Sequence, residues 1–495
     1  MRDTRDEPEE KLESWSRRAR PVVAILGGGV SGAATAFHLA GLTSPGEVEI
    51  VVVEPRPALG RGLAYSTDDP AHRVNVPAAR MTLIAETPEH FIDWLAAERI
   101  RMSPGTLTLR GDYFPERRIF GQYMSAQLEP YLASGAIRHA RASAVAVART
   151  DGHYRVTLSD KSAIEADFVV LAMTHPNPRP PRALYAVARS PRVFADPYDT
   201  ARIATIDGEA NVLVVGTGLT AADIVASITA RVFRGRITCL SRHGLRSRGH
   251  GVVARVSGAD FAAEPERSAV GLLRRVRRSV ADDAAEGQSW HATLDRVREQ
   301  GAAIWAGLDP ASRRRIVRHL RRFWDVHRFR IAPQIEEVLD ATAAAGRLSI
   351  VAASLVDARE TEAGIVVDYR PRGGAAVVAA RFDAVVVTTG PDHADVARSN
   401  PVLRGLGAEG LLCPDPLGLG IHVADDCHAV GADGNPSETL LVAGPLARGH
   451  VGELMGIPEV TRHGERVART IARRIKAEAC DGAPGDRRRK RMGQE

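Results

Sequence analysis

From residue 21 onward, short apolar runs alternate with glycine turns and helical patterns. Residues 21–26 form a Val- and Ile-rich run, which predicts a buried strand, and three glycines follow it at once. Ala33, Phe37 and Ala40 then recur at helical spacing, and a second apolar run occupies 49–53. This order predicts a strand, turn, helix and strand unit, the building block of a parallel α/β sheet.

The same order returns in the middle of the chain. Residues 211–215 predict a strand, 216–218 a glycine turn, 220–230 a helix and 237–240 a second strand. A chain of 495 residues is too long for a single hydrophobic core. The repeat therefore predicts two related domains.

The remaining segments complete the expected architecture. Helical patterns without strand signals fill 256–345, whereas short strands return from residue 348 onward. We expect an α/β fold with two Rossmann-like dinucleotide-binding domains, the second inserted into the first, plus a helical insertion. The expected division is a disordered leader at 1–20, a first domain at 21–205 and 383–477, a second domain at 206–255 and 346–382, the helical insertion at 256–345 and a basic tail at 478–495.

The first glycine turn fits the G-x-G-x-x-G pattern of dinucleotide-binding sites. Gly27 would form the tight turn, Gly29 would let the backbone approach a pyrophosphate, and Gly32 would let the helix pack on the strand. Glu54 ends the next strand, about 20 residues later, where a carboxylate can accept hydrogen bonds from a ribose 2′-hydroxyl. The turn therefore predicts a dinucleotide site that disfavours a 2′-phosphate.

The position of this motif favours FAD over NAD. It opens the chain and is followed by an irregular, glycine- and proline-marked stretch at 61–85 rather than by a second half-fold. We expect Arg61 and Asn75, both in this covering stretch, to contact the cofactor. The alternative for Asn75 is a cap on the turn before Pro77.

The second glycine turn has alanine in the third glycine position, a tolerated variant. The cofactor-binding residues expected there are Gly216, Gly218, Thr220 and Ala221. The following strand ends in Ser241 and Arg242 instead of an acid. An arginine with a hydroxyl neighbour suits a ribose 2′-phosphate, so NADPH is favoured over NADH, with an ordinary solvated arginine as the alternative.

Charge and cysteine usage argue against several other classes of protein. The 66 Lys and Arg residues exceed the 60 Asp and Glu residues, mainly at 313–330 and 487–491, but no nucleic-acid-binding module accompanies them. The four cysteines form no C-x-x-C pair, and no metal-ligand spacing is visible. Without a long apolar run or a secretory leader, we expect a cytoplasmic protein that binds neither membrane nor nucleic acid.

Longer strings carry a resemblance to a known family. They occupy 60–67, 72–78, 216–223, 324–333 and 415–420. Over nearly its whole length the chain resembles the FAD/NAD(P)-binding protein family of two-dinucleotide-fold flavoproteins. That family is similar to flavin monooxygenases that hydroxylate amines, and some members are nitrosuccinate-forming amino-acid N-oxygenases.

The resemblance implies a substrate site in the cleft between the domains. Its expected residues are Trp324, His327, Arg328 and Arg330. The arginines would clamp a carboxylate of the substrate or a phosphate of NADPH. The simpler alternative is that the arginines of this stretch are solvated.

The late turn at Gly444 and Pro445 is a second feature that the resemblance points to. It precedes Glu453, which we expect in a helix, and its backbone amides would lie near the flavin pyrimidine edge. The alternative is an ordinary turn. Many family members carry a Trp-Glu pair after this turn, whereas here Gly452 precedes Glu453, so the substrate is expected to differ.

Together these features predict an FAD-dependent, NADPH-using oxidoreductase. The leading hypothesis is a monooxygenase that uses molecular oxygen to oxidise the nitrogen of a small-molecule amine or amino acid. The alternatives are a flavin-dependent reductase or dehydrogenase without oxygen chemistry, and a non-catalytic FAD-binding redox sensor. Because the cofactor carries such reactions, few catalytic side chains are expected and none is assigned, and a homo-oligomer stays open.

Overall fold

The computed structural model describes residues 20–150, 152–173, 178–390 and 395–481, with side chains described up to residue 478. The predicted disordered leader at 1–20, apart from Arg20, lies outside the described residues. So does the predicted basic tail at 478–495, apart from its first four residues.

The strands account for most of the buried backbone. The described residues contain β1 Val22–Leu26, β2 Glu49–Val53, β3 Ile137–Ala140, β4 Ala144–Thr150, β5 His153–Leu158, β6 Ala163–Ala166, β7 Phe168–Leu171, β8 Val193–Phe194, β9 Asn211–Val215, β10 Arg236–Ser241, β11 Leu348–Thr361, β12 Gly364–Pro371, β13 Val378–Phe382, β14 Ala384–Val387, β15 His428–Val430 and β16 Pro436–Val442. They form two large sheets and one small sheet.

The helices cover the large sheets and build the insertion. They are α1 Val30–Leu42, α2 His90–Ala97, α3 Arg117–Ala133, α4 Thr200–Ile203, α5 Leu219–Thr229, α6 Ala269–Ala285, α7 Trp290–Glu299, α8 Gly301–Gly307, α9 Pro310–Arg315, α10 Arg321–Arg328, α11 Pro333–Ala344, α12 Val396–Ser399, α13 Pro401–Ala408, α14 Arg448–Val451 and α15 Ile457–Asp481. A π-helical turn at Ile316–Leu320 precedes α10, and 3-10 turns lie at Ala78–Arg80, Arg182–Val187 and Gly444–Ala447. Within the described ranges, no helix has the length and apolar character needed to cross a bilayer.

The first domain is built on a six-stranded sheet in the order β15, β16, β7, β1, β2, β3. All neighbours in it are parallel except β15 and β16. Strand β1 is buried along its whole length, because α1 and α3 cover one face of the sheet and the small sheet β4 to β6 covers the other. Helix α15 packs along α1, where a Cβ on Gly464 would lie 2.9 Å from Ala34.

The second domain is built on a seven-stranded sheet in the order β13, β12, β11, β10, β9, β14, β8. Strands β8 and β14 were expected in the first domain, and this expectation is wrong. Val385 of β14 pairs in parallel with Leu213 of β9 and with Val193 of β8. The second domain therefore takes residues from both sides of the predicted boundaries at 205 and 383.

The helical insertion is shorter than predicted. Helix α11, placed in the insertion by its sequence pattern, packs against α5 and leads into β11. Since β10 and β11 are parallel neighbours, a crossover helix must join them, and α11 has that role. The insertion therefore ends near residue 331, before α11, instead of at 345.

Candidate cofactor sites

Two glycines of the first turn are required by backbone packing. Gly27 has a φ of +105°, and its N–H donates to the carbonyl of Val53 at 2.9 Å. A Cβ there would lie 2.6 Å from the carbonyl oxygen of Ala172. On Gly32 it would lie 1.9 Å from the carbonyl oxygen of Gly27, so α1 can approach the turn this closely only through glycine.

Gly29 differs from these two because it faces open space. The nearest atom to a Cβ at this position would be Cα of Gly62, at an ordinary contact distance of 3.5 Å. Helix α1 starts at the next residue, and no side chain caps it. The amides of its first turn and the helix dipole favour an anion there, so this turn fits a pyrophosphate.

Glu54 lies beside the first glycine turn, and its carboxylate is almost fully buried. Its Oε2 accepts from the backbone N–H of Gly28 at 3.0 Å. Its Oε1 accepts from the backbone N–H and the guanidinium of Arg56, at 3.1 and 3.0 Å. Since a carboxylate has about four acceptor positions, one on Oε2 stays available for a ribose hydroxyl.

Arg61 and Asn75 both lie in the covering stretch. Arg61 Nε donates to Ser125 Oγ at 3.1 Å, which holds its side chain along α3. The carbonyl of Asn75 accepts from Nε2 of His250, a residue of the second domain, at 3.1 Å. Within the described chain, the Asn75 side chain makes no hydrogen bond that would cap the following turn, so the amide is available to a ligand.

The second glycine turn repeats the geometry of the first. Gly216 has a φ of +139°, and a Cβ there would lie 2.3 Å from Thr388 Oγ1. A Cβ on Gly218, at the start of α5, would meet nothing within 4 Å. Ala221 is buried in the position where the first turn needs Gly32. This turn is therefore also open toward a phosphate at the beginning of a helix.

Ser241 is engaged within the protein, whereas Thr220 lies beside Tyr198, where burial raises the pKa of the phenol and Thr220 acts to lower it. Ser241 Oγ accepts from the N–H of Gly244 at 3.0 Å and bonds Thr217 Oγ1 at 2.9 Å. Thr217 donates its only proton to the carbonyl of Leu245 at 2.6 Å, so Ser241 must donate to Thr217.

The hydrogen bonds from Ser241 to Thr217 and on to Leu245 show that the expected role of Ser241 in binding a phosphate is wrong. The hydroxyl has no proton left for a phosphate, and it holds the glycine turn to the loop after β10 instead. Arg242, by contrast, has an exposed side chain. No carboxylate of the described residues lies within 4.0 Å of its guanidinium.

The late turn at Gly444 and Pro445 packs against both α1 and α15. Gly444 has a φ of +77°, and a Cβ there would lie 2.0 Å from Ser31 Oγ. Its N–H donates to Nδ1 of His463 at 3.1 Å, and Pro445 has no N–H. Neither position offers a free amide to a flavin, which corrects that expectation. Glu453 lies between α14 and α15 rather than in a helix.

His463 was missed by the sequence reasoning because it lies inside an amphipathic helix without a motif. Its ring is buried, with Nε2 lying 3.6 Å from the thiol of Cys427. Burial, with a smaller contribution from the nearby Arg466, lowers the pKa of His463 to about 4. Burial, with a contribution from Arg330, also lowers the pKa of His250 to about 4.

These two histidines predict a loss of stability in mild acid. Both rings take up a proton near pH 6.5 in the unfolded chain but only near pH 4 in the folded chain. Their contribution to the free energy of unfolding is therefore fully present above pH 6.5 and falls toward pH 4. Each ring contributes at most about 3 kcal/mol. Thermal unfolding between pH 7.5 and 4.5 should show a fall in Tm that His463→Gln makes shallower. His319→Gln, at an exposed position, serves as the control. An equal slope of Tm against pH in the wild type and in both variants would contradict the assignment.

The match to a known family covers the first of these turns. Residues 24–176 match a family model described as FAD-NAD(P)-binding. This part of the chain is therefore similar to FAD-NAD(P)-binding domains. No curated protein matches the chain by sequence.

Several solved structures share the fold over 92% of the chain. Ornithine hydroxylase from Pseudomonas aeruginosa is 15% identical, with a TM-score of 0.63 over 92% of this chain and 98% of that one. L-lysine 6-monooxygenase from Pseudomonas syringae is 18% identical, with a TM-score of 0.62 over 92% and 99%. Ornithine N-hydroxylase from Kutzneria sp. 744, solved with reduced FAD, NADP+ and L-ornithine, is 17% identical, with a TM-score of 0.60 over 92% and 99%. At these identities the likeness shows the shared fold alone, which is built from two Rossmann-like domains.

The predicted substrate arginines are already paired with carboxylates. The guanidinium of Arg328, only 4% exposed, lies 3.0 Å from Glu453 and 3.5 Å from Glu459. That of Arg330 lies 2.7 Å from Asp295. Neither is an unpaired cation, so the expectation that they clamp a substrate carboxylate does not fit this geometry.

Trp324 and His327, the two other predicted substrate residues, also make contacts within the protein. Trp324 Nε1 donates to Glu453 at 3.1 Å. His327 donates from Nδ1 to the carbonyl of Phe323 at 2.7 Å, and its ring meets Trp290 edge-on. An indole beside Glu453 is thus present in space, although the chain lacks a Trp-Glu pair at this point.

The cysteines of the described residues do not form a dithiol. Burial raises the pKa of Cys239 to about 12 and that of Cys427 to about 11. Both thiols are therefore protonated near neutral pH. Among the residues that the structure describes, no group of three or more His, Cys, Asp and Glu side chains is arranged to hold a metal ion.

Proposed function

We propose that this chain is an FAD-dependent, NADPH-using oxidoreductase, and that it acts as a monooxygenase on the nitrogen of a small-molecule amine or amino acid. One observation carries the proposal: a single polypeptide has two open glycine turns with opposite charges at the ribose end. Glu54 stands at the first and Arg242 at the second. A carboxylate accepts from a 2′-hydroxyl and repels a 2′-phosphate, whereas a guanidinium attracts that phosphate.

The residues divide between the two cofactors accordingly. Gly29, the first turn of α1 and Glu54 would hold FAD, while Gly218 and Arg242 would hold NADPH. The chemistry that bound FAD would supply is hydride transfer from NADPH followed by oxidation with molecular oxygen. The protein's own residues bind and orient the two nucleotides.

Contacts between the domains support such an orienting role. Arg117 of α3 lies 2.7 Å from Asp223 of α5, with both side chains largely buried. His72 of the covering stretch bonds Ser227, also on α5, at 3.0 Å. Burial opposes the charge of Arg117, but Asp223, Tyr65 and Tyr198 together raise the pKa of the guanidinium above its ordinary value. These contacts hold the helix of the second glycine turn against the FAD domain.

Two further observations favour oxidation of nitrogen over a thiol-based reductase. The fold is shared over 92% of the chain with hydroxylases of ornithine and a monooxygenase of lysine. The two buried thiols, Cys239 and Cys427, are protonated and carry no dithiol partner among the described residues. A thioredoxin reductase from Lactococcus lactis shares the fold more distantly, with a TM-score of 0.51 and 12% identity.

We also propose that the substrate enters near α10. Trp324 and His327 would contact it, whereas Arg328 and Arg330 would act by holding Glu453 and Asp295 in place. Because Arg328 and Arg330 neutralise Glu453 and Asp295, these pairs leave no net charge that would select between a cationic amine and an acidic amino acid. Ornithine and lysine are the first substrates to test, because the fold is shared with hydroxylases of ornithine and a monooxygenase of lysine.

The proposal is tested by mixing the purified holoprotein with NADPH and following flavin bleaching, oxygen uptake, peroxide and hydroxylamine or nitro product. Ornithine, lysine and aspartate are compared with a reaction that lacks amine. Product formed with one of these amines supports the monooxygenase. Bleaching without oxygen uptake would replace it with a reductase or dehydrogenase. Absence of bleaching with either nicotinamide would leave a non-catalytic flavoprotein.

Arg242→Ala should impair the use of NADPH selectively. The loss of a charge-assisted contact to the 2′-phosphate should raise KM for NADPH roughly ten- to a hundredfold and leave KM for NADH nearly unchanged. Steady-state kinetics with both nicotinamides measures the ratio. Arg236→Ala, an exposed arginine at the opposite end of β10, is the matched control. An unchanged ratio in Arg242→Ala would show an ordinary solvated arginine.

A further inference from the structure

Basic side chains converge beyond the end of β10. His243 follows Arg242, and its Nδ1 accepts from the guanidinium of Arg372 at 3.1 Å. Because Nδ1 accepts, the neutral ring carries its proton on Nε2. Burial lowers the pKa of His243, and the charges of Arg322, Arg372 and Arg242 also act to lower it. The guanidinium of Arg322 lies over the ring of Phe323, 5.0 Å from its centroid.

Arg372 is brought there by the sheet of the second domain. Ala352 of β11 pairs in register with Ser241, the last residue of β10. The backbone N–H of Arg372 donates to the carbonyl of Ala352 at 2.8 Å. The residue after β12 is thus held beside the strand end that carries Arg242.

Arg322 is brought there by the helical insertion. The backbone of Arg248, in the loop after β10, donates to the carbonyl of Val326 at 2.8 Å and accepts from Ile331 at 3.0 Å. These bonds attach the loop to α10. Arg322 lies four residues before Val326 and so on the same face of that helix.

The three arginines differ from their neighbours in lacking a counter-charge. Arg321 lies 3.4 Å from Asp325, while Arg328 and Arg330 pair with carboxylates as described above. Within the described ranges, no carboxylate lies within 4.0 Å of Arg242, Arg322 or Arg372. Like charges held together without a partner repel each other, and a bound dianion would offset this repulsion.

We propose that Arg322 of the insertion and Arg372 join Arg242 and Nε2–H of His243 in a site for a phosphate monoester, the 2′-phosphate of an adenosine ribose. This inference rests on the proposed use of NADPH and extends it, because the helical insertion becomes part of the nucleotide site. The Ser241 hydroxyl is already bonded to Thr217, so the guanidinium groups carry the recognition. Trp324 lies two residues after Arg322 on the same helix, less than one turn away. The helix therefore connects the nucleotide site with the proposed substrate region.

The test measures binding of adenosine 2′,5′-bisphosphate and of 5′-AMP to the purified holoprotein by titration calorimetry. Arg322→Gln and Arg372→Gln should each weaken the bisphosphate roughly tenfold and 5′-AMP less than about twofold. Arg318→Gln, an exposed arginine on the preceding turn, is the matched control and should match the wild type. Circular dichroism verifies that the variants are folded, as expected for exposed side chains.

The outcomes separate this inference from the proposal beneath it. If Arg322→Gln and Arg372→Gln bind adenosine 2′,5′-bisphosphate like the wild type, but Arg242→Ala binds it more weakly, the 2′-phosphate is recognised only at the end of β10. That result would overturn this inference and leave the proposed use of NADPH intact. Equal affinity of the wild type for the two nucleotides would overturn the 2′-phosphate site itself. An equal loss of both nucleotides in Arg322→Gln would indicate a general effect on the fold and also overturn it.

Discussion

Gly32→Ala should prevent the FAD domain from folding. The added methyl group would lie 1.9 Å from the carbonyl oxygen and 3.0 Å from the carbonyl carbon of Gly27, and this backbone cannot yield as the end of a flexible side chain could. Overpacking of this kind costs about 3 kcal/mol or more, enough to unfold a marginally stable domain. Soluble yield, thermal unfolding and flavin absorbance of the purified variant measure the effect.

Two control variants separate packing from cofactor binding. Ala221→Gly, at the same position of the second turn, should cost no more than about 1 kcal/mol. Gly29→Ala meets only Gly62, at 3.5 Å, and should fold normally but bind FAD at least about tenfold more weakly, because the methyl group points into the cradle. Full flavin content in Gly29→Ala would place the pyrophosphate elsewhere, and a stable, yellow Gly32→Ala protein would refute the packing argument.

Asp223→Asn should uncouple the two domains. Arg117 would then be buried without a counter-charge, since its side chain is 14% exposed and that of Asp223 11%. Breaking a buried pair by removing one partner costs about 3–5 kcal/mol. Denaturant unfolding measures the loss, and the rate of flavin reduction by NADPH should fall with it because α5 loses its attachment to α3.

A second pair provides the comparison for this prediction. Arg359 and Asp368 lie 2.9 Å apart in the β11–β12 hairpin, and the arginine is 53% exposed. Arg359→Met should change stability by less than about 1 kcal/mol. The double variant Arg117→Met with Asp223→Leu should recover part of the loss, because no charge stays buried. Equal stability of Asp223→Asn and the wild type would show that the pair does not hold the domains together.

The main elements of the fold could be predicted because their signals are local. The strand at 22–26, its glycine turn and the following helix lie within about 20 residues, and each has its own periodicity. The α/β class, the two Rossmann-like domains and the family resemblance were confirmed. Membership of β14 in the second sheet could not be predicted, since the buried runs at 168–171 and 384–387 look alike and only their pairing partners differ.

Details of the candidate site depend on contacts that no sequence pattern records. Ser241 stands where a phosphate ligand is expected, yet its proton goes to Thr217, whose own proton goes to a loop carbonyl. Arg328 and Arg330 stand in a family string, yet carboxylates from distant parts of the chain neutralise them. Arg322 and Arg372 lie 50 residues apart in sequence, yet the charges of both lower the pKa of His243. Such pairings depend on tertiary structure.

The indole contacts of the insertion have a spectroscopic consequence. Trp290 stacks on His291 and lies under the guanidinium of Arg330, Trp305 donates to the carbonyl of Gly449, and Trp324 donates to Glu453. Of the two other tryptophans, Trp94 lies in α2 and Trp15 lies outside the described residues. The tryptophan fluorescence of this protein is therefore expected to report chiefly on the contacts of the helical insertion with the rest of the chain. It would serve as a label-free signal in titrations with nucleotides and amines.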